Sequence, residues 1–156
     1  MADYNITSDL PMVEVLHLGK PVTIRREDNP AATIRADYAL AARQCPPYCI
    51  QPMQLEKDVE TLGELEVLDF LQRIRQGVSK LLVVDSRTPD WYAKGTIPGA
   101  VNIAYTQNMA GVATDIPGVK KCLLDFFGVK EEAGAYDFND AYTLAIFCNG
   151  PWCANA

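Results

Sequence analysis

The feature that most constrains the fold is an apolar strand that follows directly on a helix. Residues 80–85 read Lys-Leu-Leu-Val-Val-Asp, with four apolar residues in succession before a carboxylate, which is typical of a strand covered on both faces. Before them, residues 61–77 carry leucines at helical spacing and end at a glycine, and Thr61 and Glu64 have the spacing of a capping box. A helix leading into such a strand predicts a wound α/β sheet, mainly parallel and flanked by helices.

A second apolar run ends in a cysteine. Residues 144–147 are Leu-Ala-Ile-Phe, Cys148 comes next, and a Gly/Pro loop follows. We predict a strand buried on both faces whose C-terminal end brings Cys148 to the rim of the sheet, where α/β proteins place their sites. Gly150 permits backbone N–H groups to converge on a thiolate and lower its pKa. Cys148 is therefore the candidate nucleophile; a buried, inert cysteine is the alternative.

Composition narrows the classes of function. The chain has 156 residues and a net charge of −6 without a basic stripe, which argues against nucleic acid and anionic membrane surfaces. Its first twenty residues lack a charged leader and an apolar core, and its apolar runs are strand-length, so we expect a cytoplasmic protein that neither spans nor binds a membrane. Five cysteines, an odd number, favour thiols or catalytic groups over a disulfide framework.

The N-terminal region predicts a β-hairpin. Residues 13–26 read as two short strands around a turn at Gly19 and Lys20, and Pro21 confines the second strand to an edge or a strand start. Such a hairpin would cover the main domain or pair with another chain. His17, the only histidine, lies in it, and a solvated or locally hydrogen-bonded side chain is favoured over a catalytic base because no motif surrounds it.

A proline-rich strap follows this hairpin. After a polar turn at residues 28–32 and a short helix predicted at 37–43, residues 45–52 read Cys-Pro-Pro-Tyr-Cys-Ile-Gln-Pro, which predicts a stiff extended segment. Cys45 and Cys49 are separated by three residues, whereas zinc knuckles usually have two between ligands, so we expect no metal. A packing strap with two half-buried thiols is favoured; a redox or interaction device is the alternative.

Further elements follow residue 85. A short helix is predicted in residues 86–94 with Gly95 as its stop, then a turn at 97–99 and a strand at 100–104. Residues 118–127 predict an amphipathic helix that ends at Gly128. Cys122 lies within this helix, where a core thiol is favoured over a functional one.

Two motifs in this region resemble those of rhodanese-like domains. Residues 85–103, which begin Asp-Ser-Arg and contain Gly-Thr-Ile-Pro-Gly-Ala, closely resemble the opening signature of that family, with Thr96 in place of its usual histidine. Residues 147–153, Phe-Cys-Asn-Gly-Pro-Trp-Cys, resemble its active-site strand and loop. The resemblance covers residues 58–156 and divides the chain into an N-terminal extension, residues 1–57, and a rhodanese-like domain. The strap also resembles an extension found ahead of this domain in some bacterial members.

The resemblance implies a sulfurtransferase. Cys148 would attack a sulfane-sulfur donor, carry the sulfur as a persulfide and pass it to a thiophilic acceptor. The loop would supply an anion cradle of backbone donors, formed by Asn149, Gly150, Pro151, Trp152 and Cys153. Pro151 removes one donor and Trp152 adds an apolar wall. Asp85 and Arg87 would support the sheet edge and the loop through hydrogen bonds. No cofactor and no metal are implied.

The loop also indicates the partners. Members of the family that use thiosulfate bind it with cationic residues, but residues 149–155 contain neither arginine nor lysine. A persulfide, protein-bound or of low molecular weight, is therefore the expected donor and a thiol, on a protein or a small molecule, the expected acceptor. Related phosphatases end a longer loop in arginine, whereas position 154 is Ala154, which disfavours phosphatase activity. A homo-oligomer or larger assembly would form through the N-terminal extension.

Two alternatives stay open. One is a catalytically inactive rhodanese-like binding module that docks a partner through its hairpin and strap. The other is a dithiol redox protein that uses Cys148 and Cys153, in which Cys153 resolves a persulfide or sulfenate by forming a disulfide. In the family the loop leads into a helix that faces the persulfide. Because the sequence ends at Ala156, we expect the C-terminal part of the domain to be missing.

Overall fold

The computed structural model describes residues 4–29, 31–33, 56–108 and 123–149. It divides into two compact units, Met1–Arg75 and Gln76–Ala156. The helix predicted at residues 37–43, the strap at 45–52, and Cys122 lie outside the described residues. The domain boundary predicted after residue 57 stays a prediction, as does the N-terminal extension as a separate element.

The N-terminal unit contains the predicted hairpin. Strands β1 (Met12–His17) and β2 (Lys20–Arg25) pair antiparallel. Our prediction placed the turn between them one residue too late. Leu18 and Gly19 occupy the turn, with φ of 50° and 76°, and Lys20 already belongs to β2. A two-residue turn that matches the twist of the strands needs positive φ at both central positions, and here a leucine adopts it.

Helix α1 (Glu64–Arg75) packs against β1 in the same unit. Its start lies later than the predicted capping box of Thr61 and Glu64. The Gly63 N–H donates to Glu66 Oε2 at 3.0 Å, and the Val67 N–H donates to the Gly63 carbonyl. Gly63 is therefore the N-cap, and Glu66 supplies the side-chain half of a capping box. Two residues of the predicted apolar face, Phe70 and Leu71, are buried.

The second unit is built on a parallel sheet. Strand β3 (Leu81–Asp85) lies between β4 (Val101–Asn102) and β7 (Thr143–Phe147), and both neighbours run parallel to it. The predicted α/β class is confirmed at this level, while the full wound arrangement stays a prediction. β3 is the buried centre, with Val83 1% exposed. β4 is shorter than the strand predicted at residues 100–104.

The prediction that the last strand is buried on both faces is wrong. Ala145 is buried, but Ile146 is 49% exposed. Neighbouring residues of a strand point to opposite faces of the sheet, so the face of β7 that carries Ala145 is covered while the face that carries Ile146 is half open. An apolar run in the sequence marks a strand without showing which of its faces is covered.

Short helices and a hairpin complete the described part of this unit. Helix α2 (Pro89–Lys94) ends at Gly95, as predicted, and α3 (Tyr105–Asn108) follows β4. Of the helix predicted at 118–127, residues 123–127 are described, and residues 123–126 are helical. Strands β5 (Lys130–Glu132) and β6 (Ala135–Asp137) form an antiparallel hairpin. Among the described residues, none of the helices is long and apolar enough to cross a membrane.

The entry into β7 is fixed by a close approach of two backbone segments. Gly128 has a φ of +77°, and a Cβ on it would lie 2.7 Å from the Asp140 carbonyl oxygen. The Tyr142 N–H donates to the Phe127 carbonyl at 2.8 Å. The Asp140 carboxylate accepts hydrogen bonds from Lys130 and Lys80, which lower its pKa to about 2. All three side chains are exposed, so we assign this network little stability.

Replacing Gly128 with alanine should destabilise the protein more than replacing Gly134 with alanine. Both glycines have positive φ, 77° and 82°, but nothing lies within 4 Å of a Cβ at Gly134. Gly134→Ala should cost about 1–2 kcal/mol of unfolding free energy from the left-handed backbone alone. Gly128→Ala should cost roughly a further 1–3 kcal/mol from the steric clash. Urea unfolding measures both, and equal losses would contradict the close approach.

Candidate functional site

The site is formed where β3 and β7 end side by side. Asp85, the last residue of β3, pairs with Phe147, the last residue of β7. Because the strands are parallel, their C-terminal ends lie at the same edge of the sheet. Cys148 follows Phe147 directly and is half-buried. The structure thus brings the predicted nucleophile to the edge at which Asp85 and Arg87 also lie.

Ser86 anchors the peptide group that precedes the cysteine. Its backbone N–H donates to the Phe147 carbonyl at 3.0 Å, and its Oγ donates to the same oxygen at 2.9 Å. The Phe147 carbonyl and the Cys148 N–H belong to one planar peptide unit. Two hydrogen bonds on the oxygen therefore also fix the direction of the Cys148 N–H. Sequence reasoning gave Ser86 no role.

Asp85 and Arg87 form a buried ion pair. Arg87 Nη2 lies 2.6 Å from Asp85 Oδ2, and Arg87 Nε lies 2.9 Å from Asp85 Oδ1. The Asp85 side chain is 0% exposed. Burial opposes ionisation of this carboxyl, but hydrogen bonds from Arg87 and Thr96 outweigh it and hold the pKa of Asp85 below its ordinary value of 3.8. The two-point geometry fixes the guanidinium in position.

Arg87 also reaches towards the loop that carries the cysteine. Its Nη2 donates to the Gly95 carbonyl at 2.7 Å, and its Nη1 makes a longer contact of 3.5 Å with Asn149 Oδ1. The guanidinium carbon lies 5.5 Å from the centre of the Phe147 ring, within range of a cation–π contact. Arg87 therefore contacts the residues on both sides of Cys148, which extends the supporting role predicted for it.

Thr96 and Asn102 complete the network around Asp85. The Thr96 hydroxyl donates to Asp85 Oδ2 at 2.7 Å. Asn102 Nδ2 donates to the carbonyl oxygens of Asp85 and Arg87, at 3.0 and 2.8 Å. Both residues lie inside the motif quoted above, but the motif alone does not show which oxygen each of them meets. At position 96, where the signature usually has histidine, threonine supplies a neutral donor to the buried carboxylate.

Cys148 is disulfide-bonded. The other four cysteines lie outside the described residues, and so does its partner. The expectation that the cysteines are thiols is therefore wrong for Cys148, although this bond alone does not make a disulfide framework. A sulfur in a disulfide is not a nucleophile, so reduction must precede any attack by Cys148.

The roles predicted for the residues of the anion cradle stay predictions. Asn149 is exposed and contacts Arg87. Gly150, Pro151, Trp152 and Cys153 lie outside the described residues, so the convergence of backbone N–H groups on the sulfur stays a prediction. Of the predicted site, the described residues supply the hydrogen-bond network around Asp85 and Arg87.

A model of the family of rhodanese-like domains matches residues 67–156. Because this match covers more than half of the chain, the chain belongs to the rhodanese-like domain family. The resemblance inferred from the two motifs is thereby confirmed. No curated protein and no solved structure matches the chain. At the level of the family, the function indicated is sulfur transfer or sulfur carriage, and some members are inactive.

Thr96→Val should destabilise the protein by about 1–3 kcal/mol at neutral pH, because it removes a hydrogen bond to a buried ionised carboxylate. The lowered pKa of Asp85 contributes stability above its ordinary value of 3.8, and this contribution is lost as the pH falls through the pKa of the folded state. The difference between wild type and variant should therefore shrink in acid. Urea unfolding across this pH range measures it.

Thr143→Val serves as the matched control, because Thr143 is exposed and also lies in the parallel sheet. Its unfolding free energy should stay within about 0.5 kcal/mol of wild type. A loss at Thr96 that does not change with pH would contradict the role of its hydroxyl in keeping Asp85 ionised.

Proposed function

We propose that this protein is a sulfurtransferase in which reduced Cys148 carries sulfane sulfur as a persulfide. The observation that carries the proposal is the position of Cys148, half-buried and one residue beyond the end of β7. The residues on either side of it, Phe147 and Asn149, contact Arg87, and the chain belongs to the rhodanese-like domain family.

The reaction has two displacements at sulfur. The Cys148 thiolate attacks the outer sulfur of a donor persulfide, the S–S bond of the donor breaks, and the donor thiol leaves. The persulfide on Cys148 then presents its outer sulfur to an acceptor thiolate. Attack by the acceptor breaks the new S–S bond and restores the Cys148 thiolate. The sulfur moves without net oxidation or reduction.

The charge of Arg87 does not by itself stabilise this thiolate. Asp85 neutralises the guanidinium through two short hydrogen bonds, so the pair adds little net charge near the sulfur. Its part is positional, because it contacts Phe147 and Asn149 on either side of the cysteine. We assign stabilisation of the anion to the backbone N–H groups of Asn149, Gly150, Trp152 and Cys153, since Pro151 has none.

Because Asp85 neutralises the charge of Arg87, the choice of sulfur donor is also affected. Thiosulfate carries two charges and needs cationic partners, but residues 149–155 contain none and Arg87 is engaged by Asp85. A persulfide places less charge in the site and needs only the sulfur to reach Cys148. We therefore assign a persulfide as the donor and a thiol, of a small molecule or a protein, as the acceptor.

Cys148→Ala should abolish sulfur loading, because it removes the attacking thiolate. The reduced full-length protein is incubated with a low-molecular-weight persulfide, and intact mass spectrometry with peptide mapping follows sulfur into the chain. Cys122→Ala is the control, since Cys122 is predicted to be a core thiol, and it should load like the wild type. If the Cys148→Ala variant still took up sulfur to the wild-type extent, the proposed function would be refuted.

Persulfide should be a better donor than thiosulfate. A missing charge-assisted hydrogen bond to the oxyanion is worth about 1.5–3 kcal/mol, so kcat/KM for thiosulfate should be lower by roughly tenfold to a hundredfold. Steady-state assays with both donors and a common thiol acceptor measure the ratio. Equal values would mean that cations from elsewhere in the chain bind the oxyanion.

A further inference from the structure

Ser86 gives the Phe147 carbonyl one hydrogen bond more than the pairing of β3 with β7 requires. In a parallel ladder a backbone carbonyl accepts from one backbone N–H of the neighbouring strand, and the Ser86 N–H fills that place at 3.0 Å. The Ser86 hydroxyl adds a second donor at 2.9 Å. Both bonds end on the oxygen of the peptide unit that joins Phe147 to Cys148, so the additional bond acts directly before the candidate nucleophile.

We propose that Ser86 is a positioning residue for sulfur transfer, whose hydroxyl holds and polarises the peptide unit that carries the Cys148 N–H. This role rests on the proposed function, because it concerns the thiolate that attacks the donor. In this role Ser86 acts through Cys148 and forms no bond with the donor itself. The bonds made and broken at sulfur are those of the two displacements described above.

The backbone of Ser86 is itself fixed by hydrogen bonds from the segment after β4. The Ser86 carbonyl accepts from the Tyr105 N–H at 2.6 Å, and the Asp85 carbonyl accepts from the Ile103 N–H at 3.0 Å. Ser86 is 4% exposed, so water hardly competes for its hydroxyl. A side chain held by such contacts at a strand end positions a neighbouring group more precisely than a side chain on a loop does.

The two hydrogen bonds have an orienting effect and an electronic effect on Cys148. They restrain rotation of the planar peptide unit, so the backbone of Cys148 starts from a fixed direction. They also draw electron density towards the Phe147 oxygen, which makes the N–H of the same unit a stronger dipole. This N–H belongs to the cysteine itself and is therefore close to its sulfur. A stronger dipole there stabilises the thiolate relative to the thiol.

Ser86→Ala tests the role of the hydroxyl, because it removes the side-chain donor and keeps the backbone N–H that pairs β3 with β7. The reduced full-length chain is alkylated with iodoacetamide across a range of pH, and peptide mapping follows Cys148. At neutral pH the rate should fall by roughly twofold to tenfold, the range expected for the loss of one neutral hydrogen bond. The two rates should converge at high pH, where the thiol is ionised in both proteins.

Two further variants control this comparison. Thr143→Val also removes a hydroxyl from the sheet, but from an exposed residue at the other end of β7, and its pH profile should match that of the wild type. Ser86→Thr keeps a hydroxyl and should restore most of the rate. If Ser86→Thr does not fold, as measured by circular dichroism, the comparison of Ser86→Ala with Thr143→Val decides. A Ser86→Ala rate that falls equally at every pH would show a merely structural role and refute the proposal.

Persulfide loading separates the role of Ser86 from the proposed function. The reduced chains are mixed with glutathione persulfide, and intact mass spectrometry follows the added sulfur with time. We expect Ser86→Ala to load more slowly than the wild type by the same factor as in alkylation at that pH. If both chains load equally fast, the role of Ser86 is refuted and the sulfurtransferase stands. If the wild type takes up no sulfur on Cys148, the proposed function fails, and the role of Ser86 in sulfur transfer fails with it.

Discussion

The buried pairing of Asp85 with Arg87 is the interaction on which the rest of the site depends. A fully buried carboxylate is stable here because a two-point guanidinium contact and the Thr96 hydroxyl satisfy it. Removing one partner of such a pair typically costs about 3–5 kcal/mol, since the other charge is left buried and unmatched. Through Gly95 and Asn149 the same guanidinium holds the segments that flank the sheet edge. The position of Cys148 therefore depends on a charge pair that does not itself react.

Much of this arrangement was predictable, because local patterns carry it. The apolar run that ends in Asp85, the run that ends before Cys148 and the glycine after α2 each predicted an element that the structure contains. The errors concern neighbours. The exposure of Ile146 depends on what packs over its face of β7, and the helix start at Gly63 depends on which carboxylate accepts a hydrogen bond from its N–H. Neither is visible in a one-dimensional pattern.

For the polar side chains around the site, the sequence likewise does not show which distant groups they contact. The resemblance predicted that Asp85 and Arg87 support the sheet edge and the loop through hydrogen bonds, but it did not predict that the two side chains pair with each other. The roles of Ser86 and Asn102 could not be predicted, because each donates to backbone carbonyls that only the fold brings near. Counting cysteines likewise favoured thiols, whereas the bond at Cys148 depends on a spatial approach that the count does not contain.

The mutual cancellation of charge in the Asp85–Arg87 pair also affects how molecules arrive at the sheet edge. A chain of net charge −6 with a neutral pair at its site projects no attractive field towards anions. If the protein transfers sulfur as we propose, electrostatic steering does not speed the encounter with an anionic donor, and added salt should slow that encounter little. Under the same proposal, selection among sulfur compounds rests on short-range contact and reactivity at the cysteine.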